Sequence, residues 1–296
     1  MSPDFRCSAA SLEAVEPLEG TASTVRTFIL LEARGPWGVH AIREGRIDPA
    51  VSDCLVELEK QGVRPLLIRR PGRSTTGTTR VFACHVGTTT PWLGSTELAD
   101  PRELLELDLG GLAAGGRAQL EPHAGPLFLA CTHGRHDACC AELGRPLAAA
   151  LAAEAPEETW EVSHIGGDRF APNVLVLPHG LYYGRLLPAE AAGFVEAHRG
   201  GRLDLEHLRG RSSYPFAVQA AEIHLRRRLD HHAVEPMPLV SRGREGEVTT
   251  AVFEVDGRRW TVRVRTTRSE PSRLTCRSIS PSAGLTHILL GIEPIG

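Results

Sequence analysis

The chain has 296 residues, of which 42% are hydrophobic and 23% charged, and its formal net charge is −3. That length suits about two domains, because a single hydrophobic core stops growing near roughly 250 to 300 residues. The near-neutral balance gives no support to non-specific binding of nucleic acid or anionic membrane. There is neither a run of about 18 apolar residues nor a basic start followed by an apolar stretch, so a cytoplasmic protein outside the membrane is expected.

Residues 1–24 read as irregular. TFILLEA (27–33) reads as a buried strand, closed by the turn residues Gly35-Pro36-Trp37-Gly38. Asp48-Pro49 is a helix start, an N-cap acid before proline at the first helical position, and predicts a helix from about 49 to 61. RPLLIRR (64–70) and RVFACHV (80–86) are the next strands, with the polar turn GRSTTGTT (72–79) between them, and PRELLEL (101–107) is a short helix. GGLAAGGRA (110–118) has the composition of a flexible linker.

A second unit repeats this β-α-β-β-α order. GPLFLA (125–130) is a strand, the loop CTHGRHDAC (131–139) leads into a helix from about 140 to 153, and TWEVSH (159–164) is a strand. VLVLP (174–178) and LYYGRL (181–186) follow as strands, and a further helix opens at Pro188. The order predicts a thioredoxin-like unit over 119–210. Residues 25–118 then read as an N-terminal α/β unit, possible in element order as a degenerate copy. Beyond Gly210, residues 215–229 have helical spacing, and AVFEVDGRRWTVRVR (251–265) alternates about Asp256-Gly257, a strong hairpin signal. With LTCRS (274–278) and THILLGI (286–292) as further strands, residues 211–296 are expected to form a small α+β domain, one antiparallel sheet with a helix on one face. The fold class is thus α/β with mixed sheets.

Seven cysteines without a basic and apolar leader argue against a disulfide framework. Cys54 and Cys84 fall within a helix and a strand as small hydrophobes. Cys7 and Cys276 stand alone in the sequence and are expected to be inert. Chemistry concentrates between Cys131 and Asp168. Cys131 follows a strand, Cys140 opens a helix whose N-terminus favours thiolate, and His164 closes the next strand. Gly166-Gly167 would let backbone approach a bulky cofactor and donate hydrogen bonds to it. Thiolate selects soft metals and iron–sulfur clusters, and imidazole suits iron and zinc. Arg135 is expected to pair with Asp137 in shaping the loop, and Arg169 to supply positive charge nearby. His133 and His136 read as solvent-exposed loop residues, and Cys139 as a packed helix residue.

The motifs CTHGRHDACCAELGRPL (131–147), EVSHIGGDRFAPNVLVLPHGLYYGRL (161–186) and, more weakly, FILLEARGPWG (28–38) resemble the sucrase/ferredoxin-like family, a branch of the thioredoxin-like ferredoxins. The resemblance covers roughly residues 25–210. It implies a [2Fe–2S] cluster with Cys131 and Cys140 as the first ligand pair and His164 as the third ligand. Asp168 stands where the family often has a second histidine, with Cys139, His133, His136 and His179 as rivals for the fourth position. It also implies electron transfer or redox sensing with a redox partner protein. No carboxylate pair of a glycosidase motif supports the sugar chemistry in the family's name. Two alternatives remain open at this point. One is a thiol oxidoreductase using Cys139 and Cys140, which lack the C-x-x-C spacing of such enzymes. The other is a structural zinc held by Cys131, Cys140, His164 and Asp168.

Overall fold

The computed structural model describes residues 5–72, 77–88 and 90–295, so residues 73–76 of the expected polar turn lie outside the described set. The first half contains α1 (Cys7–Glu13), β1 (Thr27–Glu32), the single turn α2 (Ala41–Glu44), α3 (Pro49–Lys60), β2 (Val63–Arg69), β3 (Thr79–His85), β4 (Trp92–Leu98) and the two-residue β5 (Glu121–Pro122). The second half contains β6 (Leu127–Cys131), α4 (Ala138–Glu154), β7 (Thr159–Val162), β8 (Asn173–Leu177), β9 (Leu181–Gly184), α5 (Ala191–Arg199) and β10 (Leu208–Arg211). The C-terminal part adds α6 (Phe216–Leu229), β11 (Leu239–Glu245), β12 (Val248–Val255), β13 (Arg258–Arg268) and β14 (Leu285–Ile295). No helix among the described residues is long and apolar enough to cross a membrane.

Each half arranges its strands in one way. The first runs β4-β3-β1-β2 and the second β9-β8-β6-β7. In both, the first two strands in sequence are parallel and the other neighbours antiparallel. This is the order and polarity expected of a thioredoxin-like unit, with a 3-10 turn at Asp168–Phe170 where a helix would join the second and third strands. The halves meet through β2 and β7, which pair antiparallel with Ile68 opposite Val162 and Arg69 opposite Glu161. The result is a single sheet of ten strands, not two separate ones. Arg69 bridges to Glu161 at 2.6 Å, and Thr132 Oγ1 donates to the same carboxylate at 2.8 Å. One buried cluster draws Phe28, Leu30 and Phe82 from the first half and Leu129, Trp160 and Leu175 from the second. The central strands β1, β6 and β8 are buried almost throughout, which is why they read as continuous apolar runs.

Several expectations change. The segment 110–118 is not a flexible linker: Leu112 is fully buried in a 3-10 turn, and Trp92 Nε1 donates to Gly115 O at 2.8 Å. The start of the chain, read as irregular, contains α1. Pro188 opens a 3-10 turn ahead of α5. LTCRS is not a strand, whereas β11 is one that the sequence reading passed over. The C-terminal sheet has the order β11-β12-β13-β14, all antiparallel, with Asp256 and Gly257 both at positive φ in the tight turn of the central hairpin. Val218, Ala221 and Leu225 of α6 share a buried cluster with Ala251, Phe253, Val262 and Val264 of that sheet.

Candidate metal centre

Strand order brings the sequence motif together at the ends of β6 and β7. Cys131 is the last residue of β6, Cys140 lies in the first turn of α4, and His164 follows β7 in the loop to the 3-10 turn that Asp168 opens. Asp137 caps α4 by accepting the Cys139 N–H at 2.9 Å, which fixes the turn from which Cys140 projects. Gly144 completes the approach: a Cβ there would run into the Cys131 carbonyl oxygen, so only glycine lets α4 lie this close to β6. The ligand atoms of Cys131, Cys140 and His164 lie within 4.8 Å of one another, and those of His136, His164 and Asp168 form a second such group. Both thiols are 1% exposed and Asp168 is 4% exposed.

Cys140 Sγ donates to Asp168 Oδ1 at 3.2 Å. His164 Nδ1 lies 3.0 Å from the same oxygen, yet this buried nitrogen has no aligned hydrogen-bond partner. The neighbouring Cys140 thiol and His164 hold the Cys131 thiol well below its ordinary pKa against burial, while Cys140, facing Cys131 and Asp168 in a buried position, is pushed well up. Burial works against the His164 imidazolium, but the short contacts and charge of Asp168 and Cys131 outweigh it and raise its pKa to about 9. Asp168 is lowered, since His164 outweighs the cost of its burial. The site is therefore a compact array of two thiols, an imidazole and a carboxylate.

Two histidines depart from the expectation of exposed loop residues. His133 is 2% exposed, with Nε2 donating to Gly38 O at 2.7 Å and Nδ1 accepting the His164 N–H at 3.2 Å. Both ring nitrogens are committed, so His133 acts as a strut and not as a ligand. Arg64 donates to His164 O at 3.0 Å, so the main chain of His164 is held on both sides. Gly38 and Arg64 belong to the first half, which thereby braces the centre of the second. His136 stacks on His164 with ring centroids 3.6 Å apart and places Nε2 3.7 Å from Asp168 Oδ2. It joins the site, whereas His179 and Cys139 are in neither group of ligand atoms around His164. A surface cleft of about 220 Å³ lined by His40, Arg43, Arg64, His133, His136 and His164 opens on this side.

Other expectations are corrected. Asp137 does not pair with Arg135, because its oxygens accept the N–H groups of Cys139 and Cys276. Arg169 is engaged by Glu16 at 2.7 Å. The buried positive charge beside the loop is Arg209, which donates to Gly166 O, Thr21 O and Asn173 Oδ1; burial draws its pKa down to about 10. The sequence reading missed it because β10 was not recognised. Gly166 and Gly167 adopt positive φ, and the space that a Cβ would need is taken by Ser23 and by the Arg209 guanidinium. Cys7 and Cys276, read as isolated, meet Cys139 and Asp137 in a third group of potential ligand atoms. No local spacing could have disclosed it, since its members come from three distant segments.

A mixed sheet with Cys131 and His164 at the ends of two adjacent parallel strands, and Cys140 brought against them by α4, defines an α/β protein with a cluster of potential metal-ligand atoms. Residues 18–210 match the sucrase/ferredoxin-like family model. The chain belongs to the sucrase/ferredoxin-like family. Comparisons with curated proteins and with solved structures give no match.

Proposed function

We propose that the protein is an electron-transfer or redox-sensing protein whose centre, Cys131, Cys140, His164 and Asp168, holds a [2Fe–2S] cluster. The observation that carries this reading is the convergence of two buried thiols, one opening a helix, on the His164 imidazole beside the buried Asp168 carboxylate. Membership of a ferredoxin-like family supports the same donor chemistry. When bound, such a cluster supplies single-electron transfer at a potential set by its ligands.

The chain's own residues divide the work. Cys131 and Cys140 supply negative charge at the buried side, and His164, a quarter exposed, faces the cleft side with His136. His133 and Arg64 fix the His164 main chain, and Arg209 offsets buried negative charge. The histidine-lined cleft is the proposed approach for a redox partner protein. Asp168 is the proposed fourth ligand, with His136 the nearest substitute for it.

A second reading rests on spacing. Donor atoms of Cys131, Cys140 and His164 within 4.8 Å of one another suit three ligands of a single tetrahedral zinc, whereas the outer ligands of a binuclear cluster stand further apart. Iron content of three variants tests the proposal. Cys131→Ala and Cys140→Ala should each abolish iron binding, and Cys139→Ala should leave most of it, because Cys139 faces the other side of α4. Equal loss in all three would contradict the assignment.

A further inference from the structure

Cys139 and Cys140 are successive residues on one helix, so their side chains diverge by about 100° and cannot serve the same centre. Cys140 turns to His164 and Asp168. Cys139 turns instead to Cys7 on α1 and to Cys276 in the irregular segment 269–284 between β13 and β14. Cys7 and Cys139 are buried and Cys276 half-buried. The three sulfurs form a nearly equilateral triangle: 3.8 Å from Cys7 to Cys139, 3.4 Å from Cys139 to Cys276 and 3.6 Å from Cys276 to Cys7. Asp137, fully buried, places its two carboxylate oxygens 3.7 and 3.8 Å from Cys7 Sγ.

We propose that Cys7, Cys139, Cys276 and Asp137 form a second metal site, which takes one structural zinc ion and fastens the N-terminal helix and the segment 269–284 to the start of α4. The dimensions are those of zinc. Zn–S bonds of about 2.3 Å in a tetrahedron give sulfur–sulfur edges of about 3.8 Å, and a Zn–O bond of about 2.1 Å gives sulfur–oxygen edges of about 3.6 Å. Four protein ligands and no open position make it a structural site, not a catalytic one. A disulfide would join one pair, at about 2.05 Å, and leave the third thiol beside a buried carboxylate. Three near-equal separations single out no pair.

The surroundings are those of a metal site's outer contacts. Asp137 Oδ1 accepts the Cys139 N–H at 2.9 Å and Oδ2 the Cys276 N–H at 2.7 Å, which orients the carboxylate and leaves each oxygen a lone pair for the ion. Among the described residues no Lys, Arg or His forms an ion pair with Asp137, so a cation in the cluster would give this buried carboxylate its counter-charge. Ser8 Oγ donates to Cys139 Sγ at 3.1 Å and the Cys7 N–H to Cys276 Sγ at 3.4 Å, contacts that stabilise metal-bound thiolate. On binding, each thiol releases its proton to solvent and no electron is exchanged. The ion also accounts for the order of a long segment that has no helix or strand of its own. Within that segment Ser272 and Ser282 bridge each other, Arg273 donates to Cys276 O and Ser278 O and lies over the Phe5 ring, and Arg277 donates to Arg135 O.

The test is metal analysis of the full chain, purified under anaerobic conditions from zinc-supplemented medium without chelator. The expected content is about one zinc per chain, with a sulfur-rich first shell by zinc X-ray absorption. Cys7→Ser and Cys276→Ser should each lose the zinc and keep the content of any other metal, while Cys131→Ser should keep the zinc. The wild-type content stands even if one variant fails to fold, and Cys276, in an irregular segment, is the milder substitution. A wild-type protein without zinc, zinc that is lost with Cys131→Ser and retained with Cys276→Ser, or a Cys7–Cys276 disulfide found on alkylation of the wild type would each overturn the proposal.

Discussion

His164 sets the character of the proposed centre. A neutral imidazole in place of thiolate leaves less negative charge at the metal and favours the reduced state. His164→Cys should therefore retain a cluster and lower its potential by on the order of 100 mV, read by protein-film voltammetry. An unchanged or higher potential in a correctly assembled variant would mean that His164 is not bound. Asp168 acts in the opposite direction. An anionic carboxylate lowers the potential relative to a second imidazole, so Asp168→His should shift it upward, and a downward shift in that titration would remove Asp168 from the ligand set. The candidate ligand residues were legible in the sequence because their order along the chain matches a family motif. The roles of His133 and Arg209 were not, since His133 is defined by its bonds to Gly38 and His164, and Arg209 by a strand too short and polar to recognise.

At the scale of elements, the centre depends on how closely α4 approaches β6. Gly144→Ala would force a methyl group against the Cys131 carbonyl and push the helix away. We expect a loss of about 1–3 kcal/mol in urea unfolding together with reduced iron content, and a variant equal to wild type in both would show that the approach is not critical. A second element, α6, ties the large sheet to the C-terminal one. Its Glu222 is buried between Arg226, at 2.8 Å, and Arg211 of β10, at 3.6 Å. Glu222→Gln removes the only carboxylate of this triad and should cost about 3–5 kcal/mol. Although burial opposes it, the two arginines hold the Glu222 carboxyl below its ordinary value. Its contribution is thus complete above the ordinary carboxylate pKa and is lost as pH falls through the lowered one. Urea unfolding of wild type and Glu222→Gln at neutral and acid pH should show the gap closing toward acid, and a constant gap would contradict this.

The whole molecule is built on two units of one strand order, and the strongest apolar runs, TFILL, LLI and LVL, announced its central strands. What the sequence could not announce was their union. The pairing of β2 with β7 has no local signal, because register between distant strands is decided by packing and by cross-strand partners such as Arg69 and Glu161. The union has a functional sense. The first half lacks the ligands but supplies Gly38 and Arg64, which hold His133 and His164 in place. The strands β4, β5, β10 and β11, at or next to sheet edges, were missed for the opposite reason: they are short, interrupted by Gly or Pro, or polar, so their order comes from neighbours and not from their own pattern. The metal at the first centre distinguishes a cluster from a single zinc ion. Iron, acid-labile sulfide and visible absorption, measured together on the anaerobically purified full chain, should give a red-brown protein with about two iron and two sulfide per chain. A colourless protein without sulfide, with zinc that disappears on Cys131→Ser, would contradict it.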